Sequence, residues 1–225
     1  MKRIGMVIAL GKEFDALEEL LGNPEKKHSM LGIKFSEYRL GDKFFVVARC
    51  GIGEIYATIA CSVLVVKYRV KALLNYGFAG ALSDKYGIFD MVAVRDVVHY
   101  DMDLTAFGNA LGQYDDRESE YWQADSALTA AILKERMIPS ARIASADKFV
   151  RLTESKLALS KQFSADLCDM ESAAVAIAAH KARIPFVSIK LIVDGIGGDS
   201  LLEFEENAKR GALCLAEIFY DFIKD

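Results

Sequence analysis

Apolar runs of strand length alternate with helical periods along the whole of this 225-residue chain, and only three prolines interrupt them. The runs at 3–9, 43–50, 72–76, 91–99 and 186–193 are short and strongly apolar, which is the pattern of buried strands. A weak alternation at 34–40 and a short run at 142–145 add two more. Gly41-Asp42 between the second and third runs predicts a hairpin turn. The spacing predicts a helix over 13–21, where Phe14, Leu17, Leu20 and Leu21 share one face and Gly22-Asn23-Pro24 ends it. Further helices are predicted over 54–68, 125–136, 155–163, 171–182 and 201–223. The last carries Leu201, Phe204, Ala208, Ala212, Leu215, Phe219 and Phe222 on one stripe. Strands alternating with helices predict an α/β fold with a mixed or mainly parallel sheet. No Pro- or Ser-rich linker and no fixed-period repeat divides the chain, so 1–225 is expected to be a single domain. The least periodic stretch, 107–122, reads either as a solvated loop or as a segment serving a site or a subunit contact.

Several function classes drop out on composition. Hydrophobic residues make up 52% and charged residues 27% of the chain, which excludes a disordered or collagen-like protein. The 28 basic and 32 acidic residues give a formal net charge of −4, a poor basis for binding nucleic acid. The longest apolar stretch, 57–66, stops at Lys67 and is too short to span a bilayer. The run at 4–10 follows Lys2 and Arg3 but lacks the length and cleavage site of an export leader. Cys50, Cys61, Cys168 and Cys214 are scattered and form no CxxC pair, so they are expected to be buried thiols in a reducing cytoplasm.

Of the common chemical motifs, Gly51-Ile52-Gly53 comes nearest to one. It follows a strand and opens a helix, but Tyr56 stands where a dinucleotide fingerprint needs its third glycine. What remains is a turn whose backbone can approach a ligand. His28, His99 and His180 show no metal-ligand spacing, and Asp101 and Asp103 lack a third carboxylate to complete a cation site. Acids do stand where α/β sheets place their chemistry, at the carboxyl ends of strands. These are Glu13, Asp147, Asp169, Glu171 and Asp194. Glu13 and Asp169 could equally cap helices. Asp194 ends a buried run and enters Gly195-Ile196-Gly197-Gly198, a sequence suited to a mobile closure.

At these positions the chain resembles the nucleoside phosphorylase/nucleosidase family, most of all its nucleosidases for 5′-methylthioadenosine and S-adenosylhomocysteine. Seven segments carry the resemblance in order: Ile8-Ala9-Leu10-Gly11-Lys12-Glu13, Cys50-Gly51-Ile52-Gly53, Gly77-Phe78-Ala79-Gly80, Asp103-Leu104-Thr105-Ala106-Phe107-Gly108, Ser145-Ala146-Asp147-Lys148-Phe149-Val150, Asp169-Met170-Glu171-Ser172 and Lys190-Leu191-Ile192-Val193-Asp194. The resemblance implies a three-layer α/β/α domain with a central mixed, twisted sheet. It implies a purine nucleoside as the small-molecule partner, with no metal or cofactor, and a place in methionine salvage.

The resemblance also implies roles. Cleaving an N-glycosidic bond requires a proton for the departing purine at N7 and a water for the anomeric carbon. Asp194 would be the general acid and Glu13 the base. Glu171 would accept from the ribose hydroxyls, and Met170 would lie under the sugar. Phe149 would stack on the purine, the Val150 backbone would bond its edge, and Phe204 would cover it. Without the family match, Phe149 and Phe204 read equally as core residues. Ile52, Leu104 and Phe107 would line the pocket for the 5′ substituent, with Phe107 supplied by the neighbouring subunit of a homodimer. Water is favoured over phosphate as nucleophile because 77–82 carries no Arg or Lys, which leaves Arg49 as the one candidate cation. Three positions depart from the family: Phe78 for a Ser near the sugar, Lys190 for an Arg, and Val193 for a Ser that helps to hold the catalytic Asp. A Lys cannot reproduce an Arg fork, and together the three departures are expected to leave Asp194 less well oriented. The departures keep open a nucleoside-binding relative without turnover and, with Arg49, a phosphorylase.

Overall fold

The computed structural model describes residues 2–41, 43–134, 136–197 and 200–224; of Lys2 and Ile223 it describes the backbone. Asp42 of the expected hairpin turn and Gly198 of the glycine-rich segment lie outside the described residues. In chain order the elements are β1 (Lys2–Ile8), α1 (Gly11–Leu21), β2 (Lys26–Met30), β3 (Ile33–Leu40), β4 (Lys43–Arg49), α2 (Glu54–Val66), β5 (Ala72–Ala81) and β6 (Met91–His99). A short 3₁₀ turn (Thr105–Phe107) precedes β7 (Tyr121–Gln123), α3 (Ser126–Leu133), β8 (Ser140–Ser145), α4 (Thr153–Phe163), β9 (Leu167–Asp169), α5 (Ser172–Ala182), β10 (Phe186–Asp194) and α6 (Ser200–Lys224).

Every strand joins one mixed sheet. β1 pairs in parallel with β4 and β5, and β5 pairs in parallel with β10. β10 continues antiparallel to β6, β6 runs parallel to β8, β8 parallel to β9, and β9 returns antiparallel to β5. Five strands (β5, β10, β6, β8 and β9) therefore close a ring, while β1, β4, β3 and β2 extend the sheet outward from β5. α1, α3 and α6 pack on one face through Phe14, Leu17, Ile132, Leu215 and Phe219. α2 and α5 pack on the other through Cys61, Leu64, Val175 and Ala179. The expected α/β/α layering and mixed sheet are present. Among the described residues no helix is long and apolar enough to cross a membrane.

The structure departs from the sequence reading in five places. β2, Lys-Lys-His-Ser-Met, is an edge strand with both lysines exposed, so it shows no apolar run. β7 and β9 have three residues each, too few for a period to register. β5 runs on through Gly77–Gly80, beyond the expected run at 72–76; the ladder to β10 keeps it extended as far as Gly80. Cys214 is exposed on α6, whereas Cys50, Cys61 and Cys168 are buried as expected. The helix expected over 125–136 is shorter, because the Asp125 carboxylate accepts from the Leu128 N–H at 2.7 Å and caps α3.

Candidate active site

The parallel strands β1, β4, β5 and β10 end on one side of the sheet, and a cavity of about 420 Å³ opens there. Its wall includes Ala9 and Leu10 after β1, Ile52 after β4, Phe78–Gly80 of β5, Cys168–Glu171 at and just after the end of β9, and Val193 and Asp194 at the end of β10. Lys148, Phe149 and Val150 follow β8, and Leu201 and Phe204 project from the start of α6. Crevices at carboxyl strand ends are where open α/β sheets bind ligands.

The central strand β5 organises the acids. β1 pairs with β5 only as far as Asn75, and β9 takes up that edge at Gly80. Between them the edge is open, and Glu13 enters the gap from the third position of α1. Its Oε1 accepts from the Phe78 N–H at 2.9 Å and its Oε2 from the Leu10 N–H at 3.0 Å. On the other edge, Asp194 lies beside Gly80 in the β10 ladder. Both carboxylates need glycine beneath them. A Cβ on Gly77 would fall 2.8 Å from Glu13 Oε1, and one on Gly80 would fall 2.8 Å from Asp194 Oδ2.

Glu171 precedes α5 without capping it and accepts instead from the Gly53 N–H at 2.9 Å. Gly53 adopts φ +104°, a region that favours glycine. The Gly51-Ile52-Gly53 turn thus presents its backbone to a protein carboxylate. Asp169 does cap α5: it accepts from the Ser172 N–H and, at 2.6 Å, from the Ser172 hydroxyl. The Lys190 ammonium sits 2.7 Å from Asp169 Oδ2, with both side chains buried. Lys190 therefore stands behind the cavity wall as the counter-charge of Asp169.

Three buried carboxylates, Glu13, Asp169 and Glu171, share this one ammonium. Burial is the main cause that pushes Glu13 up to about 7, against the pull of two backbone N–H groups and Lys190. Burial, then the charge of Asp169, raises Glu171 as well. Asp194 is also raised by burial, with the Lys156 ammonium pulling the other way.

These shifts make a stability prediction. Glu13 rises from 4.5 to about 7 on folding, so the folded state holds its proton more tightly than the unfolded chain does. That contribution is full below pH 4.5 and is lost as pH rises through about 7. It is at most about 3 kcal/mol. The thermal midpoint, followed by circular dichroism, is expected to fall between pH 6 and pH 8.5; a flat profile would show that Glu13 ionises without penalty.

Nine of the eleven candidate residues meet at this cavity: Glu13, Ile52, Phe78, Phe149, Val150, Met170, Glu171, Asp194 and Phe204. Leu104 and Phe107 do not line it; they lie at the 3₁₀ turn, where Phe107 is 84% exposed. Phe149 is 41% exposed, which rules out the plain core reading. Phe204 is half-buried, edge-on to Phe149 at 6.0 Å and to Phe78 at 6.2 Å between ring centroids. Phe78 is a wall residue that also packs in the core with α6. Phe78→Ser is expected to destabilise the fold by about 3 kcal/mol and to lower turnover; a gain in turnover with unchanged stability would mark Phe78 as dispensable.

Arg49 does not line the cavity and faces Asp15 at 3.8 Å. The sequence reading missed Lys156. On α4 it is fully buried, and its Nζ lies 2.5 Å from Asp194 Oδ2 and from the Gly195 carbonyl oxygen. The loss of orientation expected from Val193 is therefore offset by an ion pair. A lysine in a charged helix segment reads by default as solvated, and nothing in its spacing marks it otherwise.

Comparisons with known proteins agree with this geometry. Residues 3–224 match the family model of the phosphorylase superfamily. The chain is similar to the 5′-methylthioadenosine/S-adenosylhomocysteine nucleosidase of Shewanella sediminis, 33% identical over 210 residues and 91% of each chain. Among solved structures it is similar to the futalosine hydrolase of Helicobacter pylori, with TM-score 0.93 and 25% identity over 99% of this chain and 97% of the other. It is equally similar to the 5′-methylthioadenosine/S-adenosylhomocysteine nucleosidase of Helicobacter pylori in complex with butyl-thio-DADMe-Immucillin-A, with TM-score 0.93 and 26% identity over 99% and 98%. By sequence, by fold and by the acids gathered at its strand ends, the chain belongs to the phosphorylase superfamily, alongside the nucleosidases of that superfamily.

Proposed function

We propose that this chain, acting as one domain, hydrolyses the N-glycosidic bond of 5′-methylthioadenosine, S-adenosylhomocysteine or a related 5′-modified adenine nucleoside and releases adenine. The observation that carries this reading is the placement of Glu13 and Asp194 on opposite edges of one strand, both facing one cavity. A nucleoside between them would offer its purine to Asp194 and its anomeric carbon to a water beside Glu13. The Asp194 proton passes to purine N7, and the C1′–N9 bonding pair leaves with the base. The water oxygen bonds to C1′ while its proton goes to Glu13. Glu171 accepts from the ribose hydroxyls, and Met170 lies under the ring. Phe149 and Phe204 sandwich the purine, the Val150 backbone bonds its edge, and Ile52 borders the 5′ substituent. The raised pKa values of both acids suit an acid and a base working near neutral pH.

Phosphorolysis is disfavoured on electrostatic grounds. Among the described residues, the nucleophile's end of the cavity is lined by Glu13, Asp169 and Glu171 and by no cation that would pair with a phosphate. Lys148 is the one cation among the described lining residues, and it adjoins Phe149 at the purine end.

A homodimer in which Leu104 and Phe107 close the neighbouring 5′ pocket accounts for the exposure of Phe107 beyond its own cavity. A cytoplasmic place in methionine salvage fits such a substrate. The test is to incubate the purified protein with 5′-methylthioadenosine in phosphate-free buffer and follow free adenine. Release independent of added phosphate is expected; release only with phosphate, or none with enzyme in excess, would overturn the reading.

A further inference from the structure

We propose that Lys156 is the positioning residue of the proton donor: its ammonium fixes Asp194 from the protein side and stabilises the carboxylate left behind when the proton moves to the purine. This rests on the reading of Asp194 as general acid. The geometry is specific. Lys156 is fully buried and does not line the cavity, so it touches the chemistry only through Asp194. Its Nζ reaches Asp194 Oδ2 and the Gly195 carbonyl, both at 2.5 Å, and so ties α4 to the end of β10. Position 193, where a neighbouring hydroxyl could have held the carboxylate, is a valine facing the core. The anchor of this acid is therefore a full charge.

A charged anchor does more than the Ser200 hydroxyl, which favours ionised Asp194 by a smaller amount. It opposes the burial that makes Asp194 reluctant to ionise, and so makes it a stronger acid for the same placement. Among the described residues, the other groups facing Asp194 are Glu203 of α6, whose Oε2 accepts from the Gly195 N–H at 2.7 Å, the Ser200 hydroxyl, and the Cys168 thiol of β9. None of them supplies positive charge. Only the Asp194 proton is transferred.

The test is the pH dependence of kcat/KM for three variants, with binding of substrate followed separately. Lys156→Met is expected to lower kcat at least about tenfold, to leave KM within about threefold, and to move the alkaline limb up by about one pH unit, because Asp194 then holds its proton to higher pH. Lys156→Arg, which keeps the charge, is expected to restore the limb. Lys156→Gln keeps a donor but no charge and serves if the methionine variant does not fold; it too should move the limb. A limb that stays in place in both neutral variants, whatever happens to kcat, would reduce Lys156 to a structural prop and overturn the proposal. Asp194→Asn separates the two readings. If that variant is inactive while the Lys156 variants behave as wild type, only the inference about Lys156 falls. If it turns over normally, Asp194 is not the acid.

Discussion

Asp194→Asn is expected to lower adenine release by at least about a hundredfold while nucleoside binding stays measurable. Asparagine matches aspartate in size, and its amide oxygen can still accept from the Lys156 ammonium that lies 2.5 Å from Asp194 Oδ2. What it lacks is a proton acidic enough to pass to the purine. The loss should therefore fall on kcat and leave binding energy largely in place. Single-turnover adenine release with enzyme in excess, paired with calorimetric binding of 5′-methylthioadenosine, separates the two quantities. Near-normal release would remove Asp194 from the acid role, and loss of binding without loss of kcat would make it a purine anchor only.

The second large effect is expected from two methyl groups. A Cβ at Gly77 meets Glu13 Oε1 and a Cβ at Gly80 meets Asp194 Oδ2, each at 2.8 Å. In both cases the obstructing atoms are carboxylate tips, and neither glycine needs a positive φ. The strand can accept alanine, and the acid side chain must move. Displacing a reacting group by about 1 Å can cost about a hundredfold in rate. Gly77→Ala and Gly80→Ala are each expected to fold and to lose turnover on that scale. Gly77→Ala should also lose some stability, because Glu13 would leave its two backbone donors. Gly87→Ala is the control, since its nearest neighbour would be 3.8 Å away. Circular dichroism and steady-state turnover on all three decide the matter; full activity in Gly80→Ala would show that the acid works from another position.

Much of this architecture was readable from residue order. Strand runs such as 43–50 and 186–193 stand out because parallel strands are buried on both faces, and the acids follow them because loops at strand ends are where polar groups are tolerated. The seven ordered segments hold eight of the nine candidate residues that share a cavity, the ninth being Phe204 of the last helix. Other features were hidden for identifiable reasons. β2 is an edge strand written in lysines. The Gly77–Gly80 segment looks like a turn because its glycines make room for carboxylates that come from positions 13 and 194. Lys156 and the pairing of Lys190 with Asp169 are buried charges whose partners are distant in sequence, and no local pattern reports them. Phe107 falls outside the cavity, so the resemblance alone carries its role.

The closed ring of five strands bears on how the molecule comes into being. β10 joins β5 to β6 and delivers Asp194, yet it occupies residues 186–194, late in the chain. α6, which follows it, packs against α1 near the start. Pairings of such long range form slowly, because distant segments must meet before any contact rewards them. During synthesis, β5 emerges with one long edge waiting for a partner that is still more than a hundred residues away. The same event that seals this edge against pairing with other chains brings Asp194 to the cavity. The completed cavity and the protected edge therefore arrive together, once β10 has been made.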